Sequence, residues 1–347
     1  MKQTMCRVVA SLLLLTMLLL SAGCGSVGGG KDDTRKVLTL DGIKVIADTY
    51  RYFYLTYGME CAAAAEYAYA PADHAQDLQA FTERSLRTHY AVYSLAEEYD
   101  FSLSRKDAEE IDVQMSDLIA YIGDEETYFA WCTERYMTGD LFRMLSYDVN
   151  YLQSGLYEKL VADGVFADDR ETVLADIAAN FYHCAQIHIP HSAIAKKQAE
   201  SIHADILAGG KSFTEYARMY AGLSEATTAE EATAGRYYTK GETYAAFETA
   251  TRSLAVGEMS DVVETEIGYH IILRQPMNDS EIEAQYENLK SLYLQRMFTE
   301  LLETRAAEME LQYARNYDAV YADLEAELSS LIAQAKEKAT TTTGGAF

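Results

Sequence analysis

Proline is almost missing from this chain, with three among 347 residues, and tryptophan occurs once. So little proline leaves helices few forced breaks, and with 49% hydrophobic residues there is ample material for folded cores. Cysteine is sparse past the first two dozen residues, where Cys61, Cys132 and Cys184 are the only thiols. An odd, widely spaced set excludes a disulfide framework and a zinc site, both of which need paired thiols at short spacing. All three are expected as buried small apolar side chains. Positive charge is scarce as well: 29 Lys and Arg against 54 Asp and Glu leave a formal net charge of -25. Such a surface excludes nucleic acid and anionic lipid headgroups as partners of the protein body. The opening apolar run, Val8 to Leu20, is too short to span a bilayer comfortably.

That run has Lys2 and Arg7 before it and Ser21-Ala22-Gly23 after it, the pattern of an export signal. The stretch LLLSAGCGS around Cys24 resembles a bacterial lipobox, departing from it at Ser21, where leucine is usual. The resemblance implies that Cys24 carries diacylglycerol after cleavage and that the protein is extracytoplasmic, meeting the membrane through its lipid anchor only. Two or more acyl chains suffice for stable anchoring. Gly25 to Gly30 then serve as a flexible tether.

From Asp41 to about Asp176 the pattern is almost wholly helical. Tyr50, Phe53, Tyr54 and Tyr57 recur at three- and four-residue spacing, as do Leu78, Phe81, Tyr90, Tyr93 and Ala96. After Pro276 helix returns, with Ser280 and Glu283 as a capping-box start and Ile282, Tyr286, Leu289, Tyr293 and Met297 along one face. Val37 to Leu40 and Met309 to Tyr313 read as short strands, whose pairing would tie both ends of the chain into one lobe. A last helix is expected from Tyr317 to Lys338, ahead of a disordered tail.

Residues from about Asn180 to Gln275 have another texture. Phe181 to Ile189 is β-like, Ala193 to Leu207 and Phe213 to Tyr220 are helical, Arg236 to Thr239 is β-like, and Tyr244 to Leu254 is helical. Val262 to Thr265 and Tyr269 to Arg274 close the segment as strands. Five pieces of this α+β segment resemble, in order and spacing, the parvulin (PpiC-type) peptidyl-prolyl isomerases. They are Ala185-Gln186-Ile187-His188-Ile189, then Gly209-Gly210-Lys211-Ser212-Phe213 with Tyr216-Ala217, then Thr239-Lys240-Gly241-Glu242 with Phe247-Glu248, then Val256-Gly257-Glu258-Met259-Ser260, and last Gly268-Tyr269-His270-Ile271-Ile272. With the lipobox and the helical flanks, the whole looks like PrsA-type foldase lipoproteins, and the flanks resemble the chaperone lobe of SurA-like proteins.

The resemblance implies a parvulin domain inserted between all-α segments that form a helical lobe. Residues 1–23 are then the signal, 24–36 the lipidated cysteine and tether, 37–179 the N-terminal helical region, 180–276 the isomerase domain, 277–339 the C-terminal helical segment and 340–347 the tail. It also implies catalytic histidines at His188 and His270 that hydrogen-bond to each other, and a proline slot bounded by Phe247, Tyr238, Tyr244 and Leu223. Departures sit around that slot. Leu223 stands where the family has Asp or Cys, Ala234 to Tyr238 replace a Gly-Gly-Asp-Leu-Gly run, Thr243 replaces Met, and Arg252 an aromatic.

Turning an X-Pro bond requires only loss of amide resonance, a barrier of about 18–20 kcal/mol, so no cofactor is expected. His183, His188 and His191 do not share one face of a strand, which removes a metal site. The expected partners are newly exported or unfolded polypeptides with X-Pro bonds. A rival expectation is a parvulin-fold chaperone, or dedicated assembly partner, that binds such chains without turnover.

Overall fold

The computed structural model describes residues 33–223 and 228–343. The signal, Cys24 and most of its tether, Ser224 and Glu225, either of which could supply the polar group that Leu223 lacks, and residues 344–347 lie outside the described residues. In chain order come strands β1 (Lys36–Leu40) and β2 (Ile43–Ile46), then helices α1 (Ala47–Ala64), α2 (Ala75–Glu98), α3 (Arg105–Ile122), α4 (Glu125–Thr133), α5 (Gly139–Arg143), α6 (Val149–Ala162) and α7 (Arg170–Asn180). Strand β3 (Tyr182–Pro190) follows, with α8 (Ala195–Leu207), α9 (Phe213–Tyr220), α10 (Ala229–Ala234), β4 (Arg236–Tyr238), α11 (Ala245–Ser253), β5 (Val263–Thr265) and β6 (Gly268–Gln275). The chain closes with α12 (Asp279–Ala284), α13 (Tyr286–Glu308), β7 (Leu311–Tyr313) and α14 (Tyr317–Thr343). Two compact units result, one of residues up to 159 together with 301 onward, the other of residues 160–300.

In the first unit β1 pairs antiparallel with β7, Leu38 opposite Tyr313 and Leu40 opposite Leu311, so both ends of the chain meet in one sheet. The sheet has a third strand where helix was expected. Leu40 pairs with Ile43 across Asp41-Gly42, and both turn residues have positive φ, 50° and 84°. That is the two-residue turn whose twist matches a hairpin, and Asp-Gly is a favoured pair for it. Val37, Leu38, Leu40 and Val45 are buried from this sheet against Tyr50, Tyr54 and Leu55 of α1, Leu86 of α2, and Val320, Leu324 and Leu328 of α14. Cys132 is buried, while Cys61 on α1 is only half-buried, short of the expectation. Helix α14 continues to Thr343, past Thr340 where the tail was expected to begin, carried by the strong helix formers of the run Ala333-Gln334-Ala335-Lys336-Glu337-Lys338-Ala339.

The second unit reaches past 180–276 at both ends. Helix α7 and the start of α13 are joined by buried contacts: Arg296 Nη2 lies 2.6 Å from Asp176 Oδ1, and the Tyr293 hydroxyl donates to the Ala167 carbonyl at 2.8 Å. Helix α12 is capped by Asn278, whose side-chain oxygen accepts from the Ser280 and Glu281 amides, and not by the expected Ser280. The sheet order is β4-β3-β6-β5, all antiparallel. Ala185, Ile187 and Ile189 with Tyr269 and Ile271 cover one face against Ala195, Ala199 and Ile202 of α8 and Phe213 and Ala217 of α9. Tyr182, Cys184 and Ile272 point the other way, toward Tyr238 and Phe247.

In the first unit Gly58 of α1 leaves no room for a side chain, since a Cβ there would collide with the side chain of Leu328. Gly58→Val is therefore expected to destabilise the protein by about 1–3 kcal/mol through overpacking, seen as a lower denaturant midpoint. An unchanged midpoint would show that Leu328 moves aside freely.

Candidate functional site

Residues of even number on β3 and β6 define the face that carries the expected site. Strand alternation puts Gln186 and His188 on one side, and the register sets His188 opposite His270 and Gln186 opposite Ile272. The two imidazoles stack with ring centroids 4.7 Å apart and planes 16° from parallel. Phe247 meets His270 edge to face at 5.5 Å and Tyr238 at 5.7 Å. Tyr244 stands at the start of α11, partly buried against the same cluster. Five of the expected residues thus converge, with Phe247 at the centre. Leu223 ends a 3-10 turn, Ala221–Leu223, and its side chain lies outside the described residues.

His270 does not depend on His188 for its hydrogen bonds. Its Nδ1 is 2.7 Å from Gln186 Oε1, and its Nε2 is 2.8 Å from the Thr265 hydroxyl. With the amide oxygen as acceptor, Nδ1–H donates to Gln186 and the Thr265 hydroxyl donates to Nε2, which suits a neutral ring. His188 Nε2 is 3.3 Å from the Ile267 carbonyl. The expected bond between the histidines is replaced, for His270, by two side chains that motif matching passed over. Gln186 was within reach of the strand period, being two residues before His188. Thr265 was not, because only the β5–β6 pairing of Thr265 with Gly268 brings it under the ring.

Gly268 is a steric requirement here. Its φ is 149°, and a Cβ would run into the Ile189 carbonyl and come within 3.0 Å of His188 Nε2, so glycine is what lets β6 start beside His188. His183 turns away, stacking on Tyr237 at 4.3 Å with its Nδ1 2.9 Å from the Pro276 carbonyl. His191 Nε2 lies 2.9 Å from the Thr265 carbonyl.

Burial, with smaller contributions from His188 and His191, pushes the His270 pKa down to about 3. Burial likewise pushes the Cys184 thiol up to about 12, which makes it inert beside the site. At neutral pH this face therefore offers an uncharged imidazole, an apolar ring wall and fixed hydroxyl and amide dipoles. Such a surface moves no proton. It can favour a twisted amide, whose charge separation is smaller than that of the planar one, and each ~1.4 kcal/mol of that preference gives tenfold in rate. Phe247, expected to line a proline slot, is itself only 2% exposed.

The segment is thus an antiparallel four-stranded sheet with helices on both faces and a histidine from each central strand. Residues 189–275 match the family model described as Rotamase, PPIC-type PPIASE domain. Over 80 residues the chain is 36% identical to the peptidyl-prolyl cis-trans isomerase Pin1 of Arabidopsis thaliana, covering 23% of this chain and 65% of that protein. The apple (Malus domestica) Pin1 is matched at the same identity over 64% of its length, so the chain spans slightly under two thirds of these curated relatives. Among solved structures, the parvulin NmPin of Nitrosopumilus maritimus is similar at 30% identity, over 28% of this chain and 97% of that one, with a TM-score of 0.22. The foldase protein PrsA of Streptococcus pneumoniae is similar at 14% identity, over 88% of this chain and 99% of that one, with a TM-score of 0.36.

The lowered His270 pKa carries a sign. The unfolded ring takes up a proton near 6.5 and the folded ring near 3, so its share of stability is complete above about pH 6.5 and is lost as pH falls from there toward 3. The His270 ring proton resonances are expected to show no titration step between about pH 8 and about pH 5. A midpoint near the ordinary histidine value would mean the ring is open to water.

Proposed function

We propose that this chain is an extracytoplasmic, lipid-anchored peptidyl-prolyl cis/trans isomerase that assists the folding of exported proteins, with the helical unit contributing chaperone binding. The observation that carries the reading is the His188–His270 stack bounded by Phe247, in a segment that matches an isomerase family model. The similarity to the peptidyl-prolyl cis-trans isomerase Pin1 of Arabidopsis thaliana supports it. Export and anchoring rest on the signal pattern and on Cys24. Among the described residues no helix is long and apolar enough to cross a membrane.

A second reading, binding without turnover, is favoured by the closed slot, since Phe247 and Tyr238 are 2% and 6% exposed. Turnover then requires α11 or the adjoining loop to move when a proline ring enters.

The deciding experiment is NMR exchange on an X-Pro peptide with the full chain. Catalysed exchange is expected, with His188→Ala and His270→Ala each lowering kcat/KM by about tenfold and the double variant losing less than the product of the two, because the stacked rings are coupled. Phe247→Ala is expected to lower stability by about 3–5 kcal/mol, as a buried ring does. Peptide binding without catalysed exchange in the unsubstituted protein would establish the second reading.

Anchoring is tested separately. Cys24→Ser should leave the protein exported yet released from membranes on fractionation; retention in the membrane fraction would remove the lipid anchor from the proposal.

A further inference from the structure

A second feature of the same sheet face runs against the acidity of the chain. Tyr182 on β3 is flanked by two guanidinium groups, Arg252 of α11 at 5.9 Å from the ring centroid and Arg274 of β6 at 5.4 Å. A third, Arg236 of β4, lies 5.8 Å from the ring of Tyr238. The register explains the grouping: Arg236 and Arg274 both sit opposite Cys184, one on each side of β3. Arg252 reaches the row from the helix above.

Arg252 holds Glu248 at 2.9 Å, and Glu248 also accepts from the Gly241 amide. Arg274 is half-buried and, among the described residues, makes no ion pair. Burial is the first cause lowering its pKa, and the nearby Arg252 adds to it. A half-buried cation beside a second one, with no carboxylate of its own among the described residues, has capacity for a further anionic partner. Guanidinium groups are completed best by a planar carboxylate, which accepts two parallel hydrogen bonds.

The position gives the occupant. Tyr182 stacks on Tyr238 at 6.0 Å, and Tyr238 packs on Phe247, so the arginines are one or two ring widths from the slot. An extended peptide advances about 3.3 Å per residue, which puts the cluster within reach of a side chain two to four residues from a bound proline. We propose that Arg252 and Arg274 form a carboxylate subsite that selects polypeptide segments with an Asp or Glu near the proline. The proposal deepens the isomerase reading and rests on it for where the proline binds. On an otherwise acidic protein, a local cationic pair also sets register: it attracts an acidic residue at one distance while the remaining surface repels it.

The test uses the full chain and two peptides identical except for Glu or Gln three residues from a single proline, with binding followed by chemical-shift titration and isomerisation by exchange. The Glu peptide is expected to bind about fivefold more tightly at low salt, with the preference shrinking as salt rises. Arg252→Gln, at an exposed position, should bring the ratio of the two affinities most of the way to one, and Arg274→Gln should do the same if its spectrum shows the fold retained. Equal affinities in the unsubstituted protein would overturn the subsite, as would a Glu preference that Arg252→Gln leaves intact. A Glu preference abolished by these variants in a protein that catalyses no exchange would sustain the subsite while removing the isomerase reading.

Discussion

The pairing of β3 with β6 is the constraint on which the second unit depends. These strands form the middle of the sheet, and their register decides which side chains reach which face. A slip of one residue would turn His188 and Cys184 into the helix-covered core and push Ile187 and Ile189 out of it. That core is strongly apolar, so the hydrophobic effect holds the register and the register holds the histidines together. Gly268 completes the arrangement by allowing β6 to begin against the backbone of β3 where a side chain would not fit.

Fold and chemistry are linked through burial. The apolar cover that fixes Phe247 and Tyr238 also strips water from His270 and keeps it neutral. A charged ring would attract water and counter-ions and would stabilise the planar, more dipolar amide. A neutral ring held by Gln186 and Thr265 leaves the site weakly polar and rigid. The cost of this design is access. On the proposed reading, rings packed this closely would admit a proline only when part of their cover shifts, so opening would enter the rate along with the chemistry.

Much of this was legible in the sequence where period and punctuation agree. The sharp bounds of α9 follow from Ser212 and Glu215, which form a reciprocal cap in the structure, and the tie between β1 and β7 follows from two short alternating runs. Both histidines and Phe247 were singled out by motif, and the structure brings the three rings together. What escaped notice depended on weighing local turn chemistry or on long-range pairing. The Asp41-Gly42 hairpin was hidden by a helical stripe that begins a few residues later. Thr265 could be placed under His270 only through the β5–β6 pairing. The near-complete burial of Phe247 was beyond reach in principle, because it is a property of packing from several elements and not of the residues beside it in sequence.

The arginine row shows the same logic applied to charge. A net charge of -25 describes the chain as a whole, yet the field at a site is set within roughly a Debye length, about 8–10 Å. Arg236 and Arg274 are brought to one position on the sheet by strands far apart in sequence, and Arg252 is added from α11. An acidic protein can therefore carry a local cationic contact, and on the proposed subsite the surrounding acidity would make that contact more selective. A polypeptide with an evenly negative stretch is repelled by the rest of the surface. One with a single carboxylate placed near a proline gains the local attraction and little of the repulsion.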